Sequence, residues 1–276
     1  MRPSEVLRGA TAYLERHGVE GARSSAEALL AAVMETDRAG LYARTEGLST
    51  AEARSFGRAL CQRCTGVPLQ HLTGRQPFRR LDLEARPGVF VPRPETEVLV
   101  DVALQAVRAE QPVVVDVGTG TGAVALAVKD ERPGARVFAI DVSPEAAALA
   151  RRNAERLGLD VTVLEGDLLT PLPPEEAGRI DLVVSNPPYI SAEEYAALPA
   201  EVRADPDLAL LGGTTVHRRL AAESPRWLRP GGVLAVEIGE TQADEVRRAF
   251  AAHGFTDIRV APDLAGRDRV VAGTRP

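Results

Sequence analysis

Residues 112–131 read "PVVVDVGTGTGAVALAVKDE": a run of valines, then alternating glycines and threonines, then apolar residues at helical spacing. A continuous apolar run predicts a strand that is buried on both faces. Glycines at positions 118, 120 and 122 allow a tight turn, and the helix that follows offers free N–H groups to a ligand. The stretch also fits G-x-G-x-x-A through Ala123, so alone it does not separate a dinucleotide site from other Rossmann-like sites.

The alternation of strand and helix continues to the end of the chain. Further predicted strands are "ARVFAID" (135–141), "DVTVLEGD" (160–167), "RIDLVVSN" (179–186), "GGVLAVEIG" (231–239), "FTDIRVAPD" (255–263) and "RDRVVAGT" (267–274). Apolar strands separated by helices such as 144–158 and 241–254 indicate an α/β fold whose mostly parallel sheet is covered on both faces. Because a short loop joins the last two of the seven strands, one strand should be antiparallel.

The first third of the chain has a different pattern. Residues 4–66 carry apolar positions at spacings of three and four and predict helices. Residues 67–94 hold short extended pieces with Gly and Pro at the turns, which indicates a hairpin-like connector. We therefore expect an N-terminal helical domain (1–66), a connector (67–94) and an α/β domain (95–276). Cys61 and Cys64 form a C-x-x-C, but no partner set for zinc accompanies them, so we interpret them as helix residues one turn apart and expect no metal.

Charge and hydropathy narrow the class of protein. The chain has 276 residues, a net charge of -6 and an isoelectric point near 5.4, which argue against broad, sequence-independent nucleic-acid binding. No apolar run reaches the roughly 18 residues of a membrane span. The start, "MRPSEVLRGATAYLERHG", lacks the apolar centre of a secretory signal. We expect a cytoplasmic protein that does not bind membranes.

Ligand-type residues follow three successive strands. After the glycine loop, the next strand ends on Asp141, whose carboxylate can accept hydrogen bonds from two ribose hydroxyls. The strand after that ends on Asp167. Because ligands bind outside the carboxyl ends of parallel strands, these residues predict a nucleoside site at one edge of the sheet.

The fourth strand of this series ends in "NPPY", residues 186–189. Asparagine offers one acceptor and two donors, proline peptides offer carbonyls without competing N–H groups, and tyrosine offers a flat face. Such a loop suits a planar amide or amine, whose nitrogen is a poor nucleophile. If Asn186 and the carbonyl of Pro187 accept its hydrogens, the nitrogen is oriented and its developing positive charge is stabilised. A reactive electrophile is then required, and the sulfonium methyl of S-adenosylmethionine is one that fits a nucleoside site.

With these motifs the sequence resembles the HemK/PrmC family of protein-(glutamine-N5) methyltransferases, which modify the Gly-Gly-Gln motif of peptide chain release factors. The resemblance covers nearly the whole chain and rests on motifs in the family's order: "PLQHLTGRQPF" (68–78), "VFVPRPETEVLV" (89–100), "DVGTGTGAVALA" (116–127), "VSNPPYI" (184–190), "LALLGG" (208–213), "LRPGG" (228–232) and "VEIG" (236–239). It implies a class I methyltransferase fold, S-adenosylmethionine as cofactor and S-adenosylhomocysteine as product.

The resemblance also implies roles for individual residues. The loop Gly118, Thr119, Gly120, Thr121 and Gly122 would hold the methionine part of the cofactor, Asp141 the ribose, and Asp167 with the backbone of Leu168 the adenine. Asn186, Pro187, Pro188 and Tyr189 would hold the glutamine side chain, with Asn186 between cofactor and substrate, and Phe90 would pack near the reacting amide. Arg93 and Glu95 would brace that wall. Core packing for Phe90, and a solvated loop for Arg93 and Glu95, stay open as alternatives.

Three positions depart from the family pattern. His71 stands where the family usually has tyrosine, "GGTTV" (212–216) replaces "GG-x-D-G-L", and Leu168 occupies a position that is aromatic in some relatives. These departures concern the adenine pocket and the loop after Leu211, and they leave the reaction unchanged.

The predicted function is therefore methylation of the motif glutamine of class 1 release factors, with the N-terminal helices docking the protein substrate and the chain acting as a monomer. One alternative is the same chemistry on a ribosomal protein. A second is methylation of adenine N6, since a flipped base presents a similar nitrogen, although the acidic charge disfavours a nucleic-acid substrate. A third is a non-catalytic nucleotide-binding module.

Overall fold

The computed structural model describes residues 2–107, 109–199 and 201–276. These divide into two compact units, the first formed by Met1–Arg75 with Pro199–Ala204 and the second by Gln76–Leu198 with Asp205–Pro276. The elements in chain order are α1 (Pro3–Arg16), α2 (Ala22–Val33), α3 (Arg38–Ala43), α4 (Thr50–Cys64), α5 (Leu69–Thr73), β1 (Arg75–Phe78), β2 (Leu81–Glu84), α6 (Thr96–Ala106), β3 (Val113–Val117), α7 (Ala123–Glu131), β4 (Arg136–Asp141), α8 (Pro144–Leu157), β5 (Val161–Glu165), β6 (Ile180–Ser185), α9 (Ala192–Tyr195), α10 (Asp207–Leu210), α11 (Thr215–Trp227), β7 (Leu228–Glu237), α12 (Ala243–Ala252), β8 (Thr256–Pro262) and β9 (Asp268–Thr274).

The first unit is helical and has its own core. Helices α1 and α2 bury Leu14 and Leu30, and α4 adds Phe56. Helix α4 begins at a capping box in which the Ser49 hydroxyl accepts from the Glu52 N–H and the Glu52 carboxylate accepts from the Ser49 N–H. Both cysteines lie in α4 and are free thiols, which agrees with their interpretation as helix residues.

The segment predicted as an extended connector contains one more helix. Residues 69–73 form α5 rather than an extended piece, because Pro68 starts the turn and Gly74, with φ of 71°, ends it in the left-handed region. Strands β1 and β2 then form the hairpin. The division of the chain into three domains stays a prediction.

The second unit is built on a seven-stranded sheet with the order β5-β4-β3-β6-β7-β9-β8. Strands β5, β4, β3, β6 and β7 pair in parallel, whereas β9 is antiparallel to both of its neighbours. This confirms the predicted fold class and its single antiparallel strand. Successive valines of β3 enter opposite cores, Val114 with α6 and α7 and Val115 with α11 and α12, so both faces of the sheet are covered.

The topology places the ends of β3 and β6 next to each other. The chain leaves β3 for β4 on one side and later returns to add β6 on the other, so the crevice between them is the switch point where open α/β sheets bind ligands. Among the described residues, no helix is both long and apolar enough to cross a bilayer.

Candidate active site

A cavity of about 330 Å³ opens at this switch point, and all of its walls belong to the second unit. Eleven of the thirteen residues predicted for the site line it: Phe90, Gly118, Thr119, Gly120, Thr121, Asp141, Asp167, Leu168, Asn186, Pro187 and Pro188. Gly122 and Tyr189 are not among the lining residues. Segments that are far apart in the sequence therefore meet at one place, as their positions after parallel strands predicted.

The glycine loop is held by the strand that follows it. Gly118 and Thr119 donate their N–H groups to the carbonyl of Ile140, at 2.8 and 3.0 Å. The buried Asp116 accepts from the Thr119 hydroxyl at 2.6 Å and from the Ala125 N–H at 3.1 Å, which ties the loop to the first turn of α7. Burial raises the pKa of Asp116 to about 7.

Gly122 allows a backbone conformation and a close contact in the glycine loop that a residue with a side chain would disfavour. It has φ of 87°, and a Cβ built there would lie 2.9 Å from the Leu126 side chain. Asn153 of α8 supports the same turn, since its side-chain nitrogen donates to the carbonyls of Thr121 and Glu84. The loop is thus fixed on two sides before any ligand binds.

Asp141 lies at the carboxyl end of β4 and faces the cavity. Its two oxygens accept from the N–H groups of Gly120 and Ser143, at 2.8 and 2.9 Å, so the loop and the carboxylate fix each other. Desolvation raises the pKa of Asp141, and the backbone donors oppose that shift. Each oxygen retains a lone pair that can accept from a hydroxyl.

Asp167 and Leu168 form a further wall after β5. Leu168 is buried and has φ of 49°, an uncommon conformation for a residue with a side chain. The exposed carboxylate of Asp167 accepts from both terminal nitrogens of Arg219 on α11, at 3.2 and 2.7 Å. Arg219 also lines the cavity. Sequence reasoning missed it because nothing in α11 distinguishes this arginine from its neighbours.

Asn186 follows β6, and its Nδ2 donates to the hydroxyl of Thr96 at 3.1 Å. Thr96 is the first residue of α6, is almost fully buried and lines the cavity. It lies inside the "PRPETE" stretch, although sequence reasoning assigned it no role. Asn186 lines the cavity, and no hydrogen bond from a described residue to its Oδ1 accompanies the contact of its Nδ2.

The rest of the NPPY loop packs inward. The Pro188 carbonyl lies so close to Gly212 that a Cβ at this glycine would be 2.3 Å away. The Tyr189 carbonyl accepts from Gln242 Nε2 at 2.7 Å. Burial raises the pKa of Tyr189 to about 12, so the hydroxyl keeps its proton at neutral pH. Since the tyrosine lies outside the cavity lining, its role as a wall for the substrate stays a prediction.

The "VFVPRPETE" segment (89–97) contributes Val89, Phe90, Pro92 and Thr96 to the cavity wall. Phe90 faces the cavity, and the Arg93 guanidinium lies 5.4 Å from the centre of its ring. The buried Asp205 carboxylate pairs with Arg93 and accepts from the Val91 N–H at 3.2 Å. Glu95 is the N-cap residue of α6. Asp205, which no motif in the sequence marks, therefore holds Arg93 beside Phe90. That Arg93 and Glu95 brace this wall stays a prediction.

Fold and site together define a Rossmann-like methyltransferase. A methyltransferase from Pyrococcus furiosus has the same fold, with a TM-score of 0.54 and 21% identity over 71% of this chain and 89% of that one. Two family models match, "PrmC N-terminal domain" over residues 5–74 and "Methyltransferase small domain" over residues 80–202. The chain belongs to the release factor glutamine methyltransferase family. Relatives of that name from Mycolicibacterium smegmatis and Moorella thermoacetica are 44% and 42% identical, covering 98% and 96% of this chain and 96% and 95% of their own.

Proposed function

We propose that this protein transfers a methyl group from S-adenosylmethionine to the side-chain amide nitrogen (N5) of the glutamine in the Gly-Gly-Gln motif of class 1 peptide chain release factors. Family membership supports this reaction. The observation that carries the proposal is the Asn186 amide, which lines the cavity and whose nitrogen is engaged by Thr96, so that its oxygen would be left to accept from a substrate. An acceptor in that position is what a substrate amide N–H requires.

The residues of the cavity fit the cofactor. Gly118 and Gly120 have positive φ. A Cβ at Gly118 would lie 4.0 Å from the carbonyl oxygen of Asn186, and a Cβ at Gly120 would lie 4.0 Å from that of Phe90. A larger side chain at either position would therefore narrow the space between the walls of the cavity. Asp141 offers carboxylate oxygens suited to ribose, and Val142 and Leu168 offer apolar surface suited to adenine. When bound, S-adenosylmethionine supplies an electrophilic methyl group.

The chain's own residues orient the nucleophile. Asn186 Oδ1 and the Pro187 carbonyl would accept the two hydrogens of the glutamine amide and turn its nitrogen lone pair toward the methyl group. As positive charge develops on the nitrogen, the same two oxygens would stabilise it. The methylated nitrogen then carries one proton too many and is strongly acidic, so it would release that proton to water and no strong base is required. The Pro188 carbonyl is packed against Gly212, which supports assigning the second acceptor to Pro187.

We also propose a cellular compartment and a binding partner for this protein. Release factors act in translation, so we place the reaction in the cytoplasm. The first unit, with its separate helical core, would dock the release factor, and the protein would work as a monomer without a nucleic-acid substrate or a membrane partner.

The test is methylation in vitro followed by peptide mass spectrometry. The purified protein, labelled S-adenosylmethionine and a class 1 release factor should give one added methyl on the motif glutamine. A release factor with that glutamine replaced by alanine should stay unlabelled. Label that persists on the altered factor, or that appears only on ribosomal proteins or on duplex DNA offered in parallel, would overturn the proposal.

A further inference from the structure

The NPPY loop contains a stretch that cannot be held by its own backbone N–H groups. Pro187 and Pro188 have no N–H, so across these two positions the chain offers only carbonyl groups to its surroundings. The proposed mechanism needs the Pro187 carbonyl at a defined position beside Asn186. Contacts from neighbouring segments must therefore fix the loop.

The segment after α10 supplies one set of contacts, through backbone atoms. Ile190 donates its N–H to the Leu210 carbonyl at 2.9 Å, and the Ile190 carbonyl accepts from the Gly212 N–H at 3.1 Å. A Cβ at Gly212 would lie 2.3 Å from the Pro188 carbonyl oxygen. This segment therefore holds the residue after the NPPY loop and packs on the second proline.

A side chain, that of Gln242, supplies the other contact. Its Nε2 donates to the Tyr189 carbonyl at 2.7 Å, and its Oε1 accepts from the Gly239 N–H at 3.0 Å. The nitrogen and the oxygen each have a partner of the matching kind, so the amide has one orientation. Gln242 thereby joins the last residue of the NPPY loop to the last residue of the "VEIG" motif.

The fold leaves room for the Gln242 amide at Gly239. Gln242 is the N-cap residue of α12, and Gly239 lies two residues after the end of β7, the strand next to β6. A Cβ at Gly239 would lie 3.3 Å from both Cδ and Oε1 of Gln242 and 3.6 Å from Cδ2 of Tyr189. A glycine at this position therefore lets the Gln242 amide reach the loop.

The first turn of α12 also holds the segment that packs on Pro188. Glu245 accepts from the Thr214 hydroxyl and from the Arg218 guanidinium, and Thr214 lies two residues after Gly212. The start of one helix therefore contacts both the NPPY loop and the segment that supports it.

Few torsions separate the Gln242 contact from the proposed acceptor. The Pro187 carbonyl precedes the Tyr189 carbonyl by two residues. The ring of Pro188 fixes its φ near about −65°, and a residue that precedes a proline, as Pro187 does, is restricted to extended conformations. A displacement of the Tyr189 carbonyl is therefore passed on to the Pro187 carbonyl, because the chain between them is stiff.

We propose that Gln242 is a positioning residue that holds the NPPY loop through the Tyr189 carbonyl, so that Asn186 and the Pro187 carbonyl meet the substrate amide. The inference rests on the proposed function, because it concerns the two acceptors that glutamine methylation would use. Gln242 is not among the residues that line the cavity, so it acts on turnover through the loop.

The test removes one donor from the full-length protein. Gln242→Glu keeps the shape of the side chain and the oxygen that accepts from Gly239, but an ionised carboxylate cannot donate to the Tyr189 carbonyl. We expect kcat for release factor methylation to fall about tenfold, because a small misplacement of a reacting or orienting group lowers the rate. The KM for the release factor, the dissociation constant for S-adenosylhomocysteine and the melting temperature should stay close to wild type.

Two further variants separate the lost donor from the added charge. Thr241→Glu places the same charge on the exposed residue before Gln242, and its kcat should match wild type. Gln242→Met keeps the length of the side chain without a charge or a donor, and its kcat should fall as far as that of Gln242→Glu. If one of the two variants at position 242 melts at a lower temperature, the other gives the comparison.

Three results would overturn the inference: a wild-type kcat in Gln242→Met, equal losses of kcat in Thr241→Glu and Gln242→Glu, or a lower melting temperature in both variants at position 242 with kcat unchanged. The last result is the one that a merely structural contact predicts. Failure of the proposed function looks different, because the wild-type protein itself would then leave the release factor unlabelled in the same assay.

Discussion

Asp141 shows how one side chain can serve both the protein and a ligand. Its oxygens already accept two backbone N–H groups, and the ribose contact would use the remaining lone pairs. The sequence predicted its place at the end of a strand, since an apolar run that ends in aspartate is visible without a structure. The sequence could not show that the same carboxylate fixes the Gly120 N–H, because that contact joins residues 21 positions apart.

We expect Asp141→Asn to weaken S-adenosylhomocysteine binding about 10- to 100-fold, because a charge-assisted hydrogen bond contributes about 1.5–3 kcal/mol. Isothermal titration calorimetry measures the change. Asp181→Asn is the matched control: Asp181 accepts from the Val113 N–H at 2.8 Å and from Arg229 at 2.6 Å, at the amino ends of β3, β6 and β7. Equal losses of binding in the two variants would mean that Asp141 affects S-adenosylhomocysteine binding only by stabilising the fold.

At the scale of elements, strands were easier to predict from the sequence than the contacts between their ends. Runs such as "VVVDV" (113–117) have both faces covered and are apolar except for the buried Asp116, and each strand of the sheet was recognised. Helix α6 was not predicted, although Leu99, Val100 and Ala103 are buried along one side of it. Thr96 is the first residue of this helix, and because the helix was not predicted, Thr96 was missed as well. Arg219 was missed because only the folded chain brings it to the cavity wall, and Asp205 was missed because only the folded chain brings it to Arg93.

The junction between β3 and α7 depends on Gly122. Its φ of 87° costs a side-chain-bearing residue about 1–2 kcal/mol, and the contact of a new Cβ with Leu126 adds to that cost. Gly158, the C-cap of α8, has φ of 66°, but no atom of the described residues would lie within 4 Å of a Cβ at this position. We expect Gly122→Ala to lower the free energy of unfolding by at least about 1 kcal/mol more than Gly158→Ala does, since overpacking costs about 1–3 kcal/mol. Urea denaturation measures both. Equal losses would show that the Leu126 contact relaxes freely.

For the whole molecule, we assign the cavity and its chemistry to the second unit and predict that the first unit docks the substrate. Every residue that lines the cavity belongs to the second unit, so the proposed cofactor binding and amide orientation would be properties of the sheet and its loops. The sequence identified this chemistry because its motifs follow successive strands. It could not identify Thr96, because the contact of this residue with Asn186 joins positions that are 90 apart in the sequence. Docking by the first unit stays a prediction.

The stability of the second unit should fall as the pH rises from about 5 to 8. Burial raises the pKa of Asp116 and of Glu237 to about 7, above the ordinary values of about 4. The folded chain then holds protons that the unfolded chain has released, so the stabilisation present at low pH is lost as the pH passes through the folded pKa. Each group contributes at most about 1.4 kcal/mol per pH unit. His217, whose pKa burial lowers, titrates in the opposite sense.

Asp116→Asn isolates one of these carboxyls. Asparagine can still accept from Thr119 and Ala125 but does not titrate, so we expect a flatter dependence of unfolding free energy on pH and a gain relative to wild type that grows toward pH 8. Trp227, the single tryptophan, is buried in α11 of the second unit, so its fluorescence during urea unfolding reports on the unit that contains Asp116. Because Glu237 and His217 are present in both proteins, the difference between the curves belongs to Asp116. Parallel curves from pH 5 to 8 would show that this carboxyl is already ionised in the folded chain, held by its two donors against the cost of burial.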